Sequence, residues 1–309
     1  MNRDSVFLEA PRYVLGEMET AHRDLPELPR RARELRMLPD ASLWGWGSVH
    51  RTAGAVEALA VASGRETLRT AGLRPAEVDA LVLCSTRFPD SVDTHGRFAA
   101  RIMAGLGIGD AAFFGVTLNR CANLLAGLWI AHALATAGAH RCILVVTADR
   151  APTEEARITD FALFSDGAAS CLVTRARVAQ EGWRILAGAA AQDTALLDRS
   201  DEISSDLARQ VNDSLLQPLS LRVEELAGLF PTNLYRPITL MKERQAGFRT
   251  EQIYTDNIER VGHCFAADPL INLVDRTGPG GPRDGDHYLL AASVPGSRIG
   301  VLLQGTAAQ

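Results

Sequence analysis

Nowhere in its 309 residues does the sequence offer an apolar run approaching the roughly 20 residues a bilayer-spanning helix needs. Its start, MNRDSVFLEAPRYVLGE, has neither the basic opening nor the long apolar stretch of a secretory leader. A cytoplasmic chain with no membrane partner is the expectation. Blocks of lysine or arginine are absent too. The 32 Lys+Arg are outweighed by 37 Asp+Glu, for a net charge of −5, which leaves no electrostatic footprint for nucleic acid. There is no CxxC pair and no HExxH, so no metal of the familiar kinds is expected. The five cysteines, Cys84, Cys121, Cys142, Cys171 and Cys264, are odd in number and irregularly spaced, which suits reduced thiols rather than a disulfide framework. No close repeat and no low-complexity segment stands out.

What is present is an ordinary globular balance, 47% hydrophobic and 22% charged, in a chain long enough for two domains or one large one. Short aliphatic runs such as VDALVLCST (78–86), HRCILVVTA (140–148) and AASCLVTR (168–175) alternate with helical patterns, the rhythm of an α/β protein with buried strands. Residues 54–71 read as an amphipathic helix. Residues 122–136 have almost no polar face, which predicts a helix buried nearly all round. A composition shift at TRARVAQEG divides the chain into halves, 1–175 and 176–309, with a similar order of elements. In the second half a helix is expected over 236–245, and the Gly- and Pro-punctuated RTGPGGPRDGD (276–286) is a surface loop.

Cys121 raises the functional question. Cys84, Cys142 and Cys171 lie inside apolar strand runs and read as core. Cys121 instead follows the strand-like AFFGVTL and opens the apolar helix. Free N–H groups and the positive end of the helix dipole there favour a thiolate, and the Cys121 backbone N–H is placed to meet an oxyanion. The motifs LVLCSTRFPD, GVTLNRCANLLAGLWIAHALATAG, CILVVTAD and ITDFALFSDGAASCLV, in this order and spacing, resemble the thiolase-fold condensing enzymes, specifically the β-ketoacyl-acyl-carrier-protein synthase III family. LFSDGAAS is similar to the family's Phe-Gly-Asp-Gly-Ala signature, with Ser165 at the first glycine. The resemblance implies an α/β fold, the thiolase-like five-layered α-β-α-β-α sandwich of two similar halves with two buried helices meeting at the centre, and a homodimer.

The sequence departs from that family in its second half. Where the family's Pro-His-Gln-Ala-Asn motif supplies a histidine, FPTNLYRP offers Thr232 or Asn233. Where a later Gly-Asn supplies an asparagine, RVGHCFAADP places His263. A cysteine and a histidine within reach of each other suffice for acyl transfer, because imidazole takes the thiol proton and later activates the acceptor. The expected catalytic set is therefore Cys121 as nucleophile, His263 as base, and Asn233 to orient the imidazole or bind the thioester carbonyl, a job Thr232 could share. In SVPGSRIG the family has a glycine-rich turn giving a second oxyanion N–H. Pro295 has none to give and Gly296 has one, so the hole depends on which stands at the donor position. Trp44, Trp46, Arg51 and Thr52 fall where the family binds the nucleotide or pantetheine part of acyl-CoA.

The function expected is ping-pong transfer of an acyl group from acyl-CoA or acyl carrier protein, through an acyl-Cys121 thioester, to a small-molecule or carrier-bound acceptor, without cofactor or metal. The setting expected is secondary metabolism. Decarboxylative condensation is the alternative, and an accessory subunit of a heteromeric condensing enzyme is another.

Overall fold

The strands are β1 (Phe7–Leu15), β2 (Met18–Ala21), β3 (Ser48–Arg51), β4 (Ala80–Leu83), β5 (Ala112–Gly115), β6 (Cys142–Asp149), β7 (Gly167–Thr174), β8 (Gly182–Gln192), β9 (Gly228–Pro231), β10 (His287–Val294) and β11 (Ser297–Thr306), with β4, β6 and β7 in the aliphatic runs read from the sequence. The computed structural model describes residues 5–86, 92–179, 182–198, 203–278 and 281–306. The end of LVLCSTRFPD and the middles of TRARVAQEG and RTGPGGPRDGD lie outside the described residues.

β2 and β3 form a small ribbon, and the other nine strands share one sheet in the order β5-β4-β6-β7-β1-β8-β11-β10-β9. On one side β4 runs parallel to β5 and β6, β6 is antiparallel to β7, and β7 to β1. On the other side the pattern recurs: β9 is parallel to β10, β10 antiparallel to β11, and β11 to β8. β1 also takes β8 on its free edge, so the sheet runs on across position 175.

Side-chain alternation along the strands sorts the core into layers. On β4, Leu81 and Leu83 face outward onto the helix Val56–Ala71 and the helix Val92–Leu106, where Leu59, Leu68 and Ile102 meet them. Its intervening residues Ala80 and Val82, with Cys84 beyond, face inward onto Leu124, Leu125 and Leu128 of the helix Asn123–Thr136. β10 mirrors this. Leu289 and Ala291 pack outward on Val211 and Leu215 of the helix Ser205–Leu216. Leu290 and Ala292 share the central core with Leu270 and Ile271 of the helix Asp268–Thr277. The layers are thus helices, sheet, two central helices, sheet, helices, the α-β-α-β-α architecture expected.

One expectation needs correction. The helix Asn123–Thr136 is enclosed over its first half, but Trp129 and Ile130 are 39% and 41% exposed. Its Trp129 ring lies against Gly188 of β8, leaving an apolar surface on the second half of the helix. Near-uniform apolar composition therefore reports enclosure at the start of this helix and an apolar surface at its end. Among the described residues no helix is long and apolar enough to cross a membrane.

The helix Arg236–Gln245, placed as the sequence suggested, is pinned to β11 by buried charge. Arg298 forks onto Glu243 at 2.7 and 3.0 Å, and Lys242 meets the same carboxylate at 2.9 Å. Burial alone would raise the Glu243 carboxyl, yet Arg298 and then Lys242 hold it down at about 2. This fixes Ile238 and Met241 as one wall of the cleft described next.

Candidate active site

Cys121 lies in a single 3-10 turn, Arg120–Ala122, that leads directly into the helix Asn123–Thr136. Two residues just before it, Leu118 and Arg120, adopt positive φ of 75° and 50°. Left-handed backbone at such residues costs about 1–3 kcal/mol each and persists only where neighbours enforce it. Here the Asn123 side chain donates to the Ser85 carbonyl and accepts the Asn119 N–H, each at 3.0 Å, while the Thr86 hydroxyl donates to the Arg120 carbonyl at 3.2 Å. The turn presents Cys121, half-buried, at the head of the helix, where first-turn N–H groups lack helical partners.

His263 reaches the same place from the other half. Its backbone N–H donates to the Leu163 carbonyl at 2.8 Å, and its carbonyl accepts the Ser165 N–H at 2.9 Å. Its ring lies 4.6 Å from that of Phe164. LFSDGAAS is thus the seat of the imidazole. The Ser165 hydroxyl, at the family's glycine position, donates to the Val261 carbonyl and accepts the His50 N–H at 2.9 Å, tying the histidine loop to β3. Asp166 locks the segment, binding Arg157 and the N–H groups of Thr52 and Ala151 at 2.9 Å each. Gly262 has φ +71°, and a Cβ there would stand 2.6 Å from the Leu163 carbonyl oxygen. Gly262→Ala is expected to destabilise the fold by about 1–3 kcal/mol and to slow any reaction of Cys121 by displacing the imidazole. Urea unfolding and Cys121 acylation rates check both effects, and an unchanged variant would mean that the loop relaxes freely.

The imidazole is oriented by a residue that sequence reasoning missed. Nδ1 of His263 is hydrogen-bonded to the carboxylate of Asp268, which also accepts the N–H groups of Asn233 and Cys264, both at 2.7 Å. His263, Asp268, Asn233 and Cys264 are all buried. Burial disfavours the charged ring, but attraction to the Asp268 carboxylate, then to the Cys121 sulfur, with hydrogen bonds to both, pushes the His263 pKa up to about 10. Cys121, His263 and Asp268 thus stand in sequence as a thiol, an imidazole and a carboxylate in contact. A usable signal for Asp268 was present: an acidic residue followed by proline at the start of the amphipathic DPLINLVDRT.

The cleft above the cysteine has a volume of about 500 Å³. Cys121, His263 and Thr232 lie in its lining with Ser293, Val294 and Pro295, and its walls are largely apolar, from Phe161, Ile203, Leu234, Ile238 and Met241. Thr232 stands in the cleft, whereas the Asn233 side chain does not line it. The Asn233 amide nitrogen donates to the Gly262 carbonyl and its oxygen accepts from Asn272, both at 2.9 Å. At the hairpin turn Pro295 faces the cleft. Gly296, with φ +68°, sits against the backbone of Leu196 and Leu197, and its carbonyl accepts the Asp193 N–H at 2.9 Å. Trp44, Trp46 and Arg51 are not brought to the cysteine. Trp44 and Trp46 pack on Tyr235 with ring centroids 5.5 and 6.2 Å away, and Arg51 meets Glu154 at 3.4 Å.

Comparison with known proteins agrees with this architecture. The sequence model of the 3-oxoacyl-[acyl-carrier-protein (ACP)] synthase III family matches residues 117–194. A β-ketoacyl-[acyl-carrier-protein] synthase III of Rhodospirillum rubrum is 37% identical over 121 residues, covering 37% of this chain and 35% of that protein's length. The corresponding synthase of Roseiflexus sp. is 27% identical over 274 residues, 76% of this chain and 78% of that one. Among solved structures, ChlB3, described as an acyltransferase, superposes with a TM-score of 0.84 at 17% identity, covering 98% of both chains. Xanthomonas campestris OleA, in a form solved with lauric acid and lauroyl-CoA bound, superposes with a TM-score of 0.80 at 17% identity, covering 97% of this chain and 99% of that one. Joined to the five-layered sandwich and a cysteine at the head of a central helix, these matches show the thiolase fold and a likeness to the β-ketoacyl-acyl-carrier-protein synthase III family that is strongest around the Cys121 segment.

Proposed function

We propose that the protein is an acyltransferase that carries an acyl group from a thioester donor, as acyl-Cys121, to a nucleophilic acceptor without decarboxylation. The observation that carries this reading is the Cys121–His263–Asp268 constellation at the base of a mostly apolar cleft. In the first half-reaction Sγ attacks the thioester carbonyl, the bond to the donor sulfur breaks, and His263 protonates the departing thiolate. In the second, the acceptor heteroatom attacks the acyl-cysteine while His263 takes its proton, and the Cys121 sulfur leaves as an anion beside the imidazolium.

Two features favour this over condensation with a malonyl unit. The segment that carries the family's histidine here turns Thr232 into the cleft, so a short hydroxyl takes the place of an imidazole that would reach an enolate oxygen. Asp160 and Asp198 also line the cleft and would repel a malonyl carboxylate, while Arg120, the single basic residue of that lining apart from His263, already donates to the Leu197 carbonyl at 2.9 Å. The donor fits either of two thioesters. OleA is described with lauroyl-CoA bound, and the name of the Rhodospirillum protein specifies an acyl carrier protein. A specialised role in secondary metabolism suits the altered site, no cofactor is required, and a cytoplasmic setting supplies both donors. Edge strand β5, with Phe113 exposed, and the exposed Trp129 and Ile130 offer apolar surface that suits burial in a homodimer.

The test compares simple acyl thioesters with malonyl thioesters. Acyl loading on Cys121 and transfer or slow hydrolysis are expected with the former, and carbon dioxide release from the latter at least about 100-fold slower than acyl loading, the scale of one lost transition-state donor. Malonyl decarboxylation as fast as loading would overturn the reading in favour of condensation. Failure of every thioester to load Cys121 would leave the accessory-subunit reading.

A further inference from the structure

A thioester carbonyl under attack needs donors for the charge that builds on its oxygen, and where the family's second backbone donor is expected the residue lining this cleft is a proline. The Cys121 backbone N–H is one donor, at the head of its helix. Opposite, the hairpin turn presents Pro295, which has no N–H. Gly296 packs against the Leu196–Leu197 backbone and is not among the residues lining the cleft, and the Asn233 amide is spent on Gly262 and Asn272.

Thr232 remains. It lines the cleft with Cys121 and His263 and is fully buried, and its hydroxyl has no hydrogen-bond partner. Among the described residues no other buried serine or threonine hydroxyl lacks a partner, and none of the other unpartnered buried side-chain atoms belongs to a residue of this cleft. A buried hydroxyl left unpaired weakens the fold, and valine has the same shape without it. The hydroxyl therefore calls for a partner that arrives with the substrate.

We propose that the Thr232 hydroxyl is the second oxyanion donor. This rests on the acyl-transfer reading above. As the Sγ–C bond forms, the carbonyl π pair moves onto oxygen, where the Cys121 N–H and the Thr232 O–H receive it. The pair returns as the bond to the donor sulfur breaks and His263 delivers its proton. The same two donors serve the collapse of the second tetrahedral species, so one side chain replaces the backbone N–H that Pro295 cannot supply.

Thr232→Val and Thr232→Ser separate this role from a structural one. Single-turnover loading of Cys121 from an acyl-CoA, followed by intact mass, is expected to slow about 10²- to 10³-fold in Thr232→Val and only a few-fold in Thr232→Ser. The thermal midpoint of Thr232→Val should equal or exceed that of the unaltered protein. Alkylation of Cys121 by iodoacetamide, which forms no oxyanion, should proceed at the unaltered rate in both. Loading by Thr232→Val at the original rate overturns the proposal, as does a fall in loading matched by a fall in midpoint or in alkylation. If the unaltered protein loads and Thr232→Val loads equally, this inference alone fails. If the unaltered protein loads from no thioester, the acyl-transfer reading falls with it.

Discussion

Asp268→Asn is expected to slow acyl loading of Cys121 by about 10³- to 10⁴-fold while leaving the cleft in place. The carboxylate is surrounded by donors alone: the N–H groups of Asn233 and Cys264, each at 2.7 Å, and Nδ1–H of His263. An amide of the same shape can accept on one side only. Its NH₂ must face either a backbone N–H or the imidazole, and the relief open to it is to turn Nδ1 into an acceptor. That moves the ring proton to the other nitrogen, the one needed to exchange protons with sulfur and acceptor. The loss of charge-assisted hydrogen bonds is worth about 1.5–3 kcal/mol of stability. Its pH dependence follows from the His263 pKa, raised to about 10 from a usual 6.5. A histidine raised on folding adds stability that is complete below about pH 6.5 and disappears as pH climbs through about 10. The stability gap between the unaltered protein and Asp268→Asn should therefore be widest near pH 6 and narrow by pH 10, which urea titrations at the two pH values would measure. Loading at the unaltered rate in Asp268→Asn would remove Asp268 from the catalytic set.

How far the site could be read from sequence depended on how local each signal is. Cys121 was legible because an apolar strand pattern followed by an apolar helix places the residue between them at a helix head, whatever the rest of the chain does. His263 was legible only through motif position, since nothing in RVGHCFAADP says that its ring will stack on Phe164 and meet the cysteine. Asp268 escaped because its role exists only once Phe265–Ala267 closes a 3-10 turn and brings the carboxylate back to Nδ1. Asn233 and Thr232 are adjacent, and the choice between them turns on which faces the cleft. That is settled at long range, by Asn272 drawing the amide away. The fold shows the same division. Alternating apolar runs gave β4, β6 and β7, but β1 carries Glu9 and Pro11 in its middle. It is a strand because the register shifts between Glu9 and Arg12, where a bulge accommodates the proline, and because Thr174 and Arg177 pair with the buried Glu9.

Cys121→Ala is expected to abolish acyl-enzyme formation, a fall of at least about 10⁴-fold, with stability changed by less than about 1 kcal/mol because the side chain is small and half-buried. No other cysteine is placed to substitute for it. Burial raises the thiols of Cys84, Cys171 and Cys264 far above their usual range, and it pushes Cys142 up to about 12. None of these four lines the cleft. Peptide mapping after incubation with acyl-CoA should therefore place the adduct on Cys121 alone. Cys121→Ser tests the charge pairing rather than the geometry. The sulfur is one of the two groups that hold the proton on His263, and a serine hydroxyl, which stays neutral near pH 7, withdraws that contribution. Loading should drop by about 10³-fold or more, and the His263 titration followed by NMR should move down from about 10. An adduct on Cys264, which adjoins His263 in sequence, or undiminished loading in Cys121→Ala, would show that the constellation serves structure and that the acyl group is carried elsewhere.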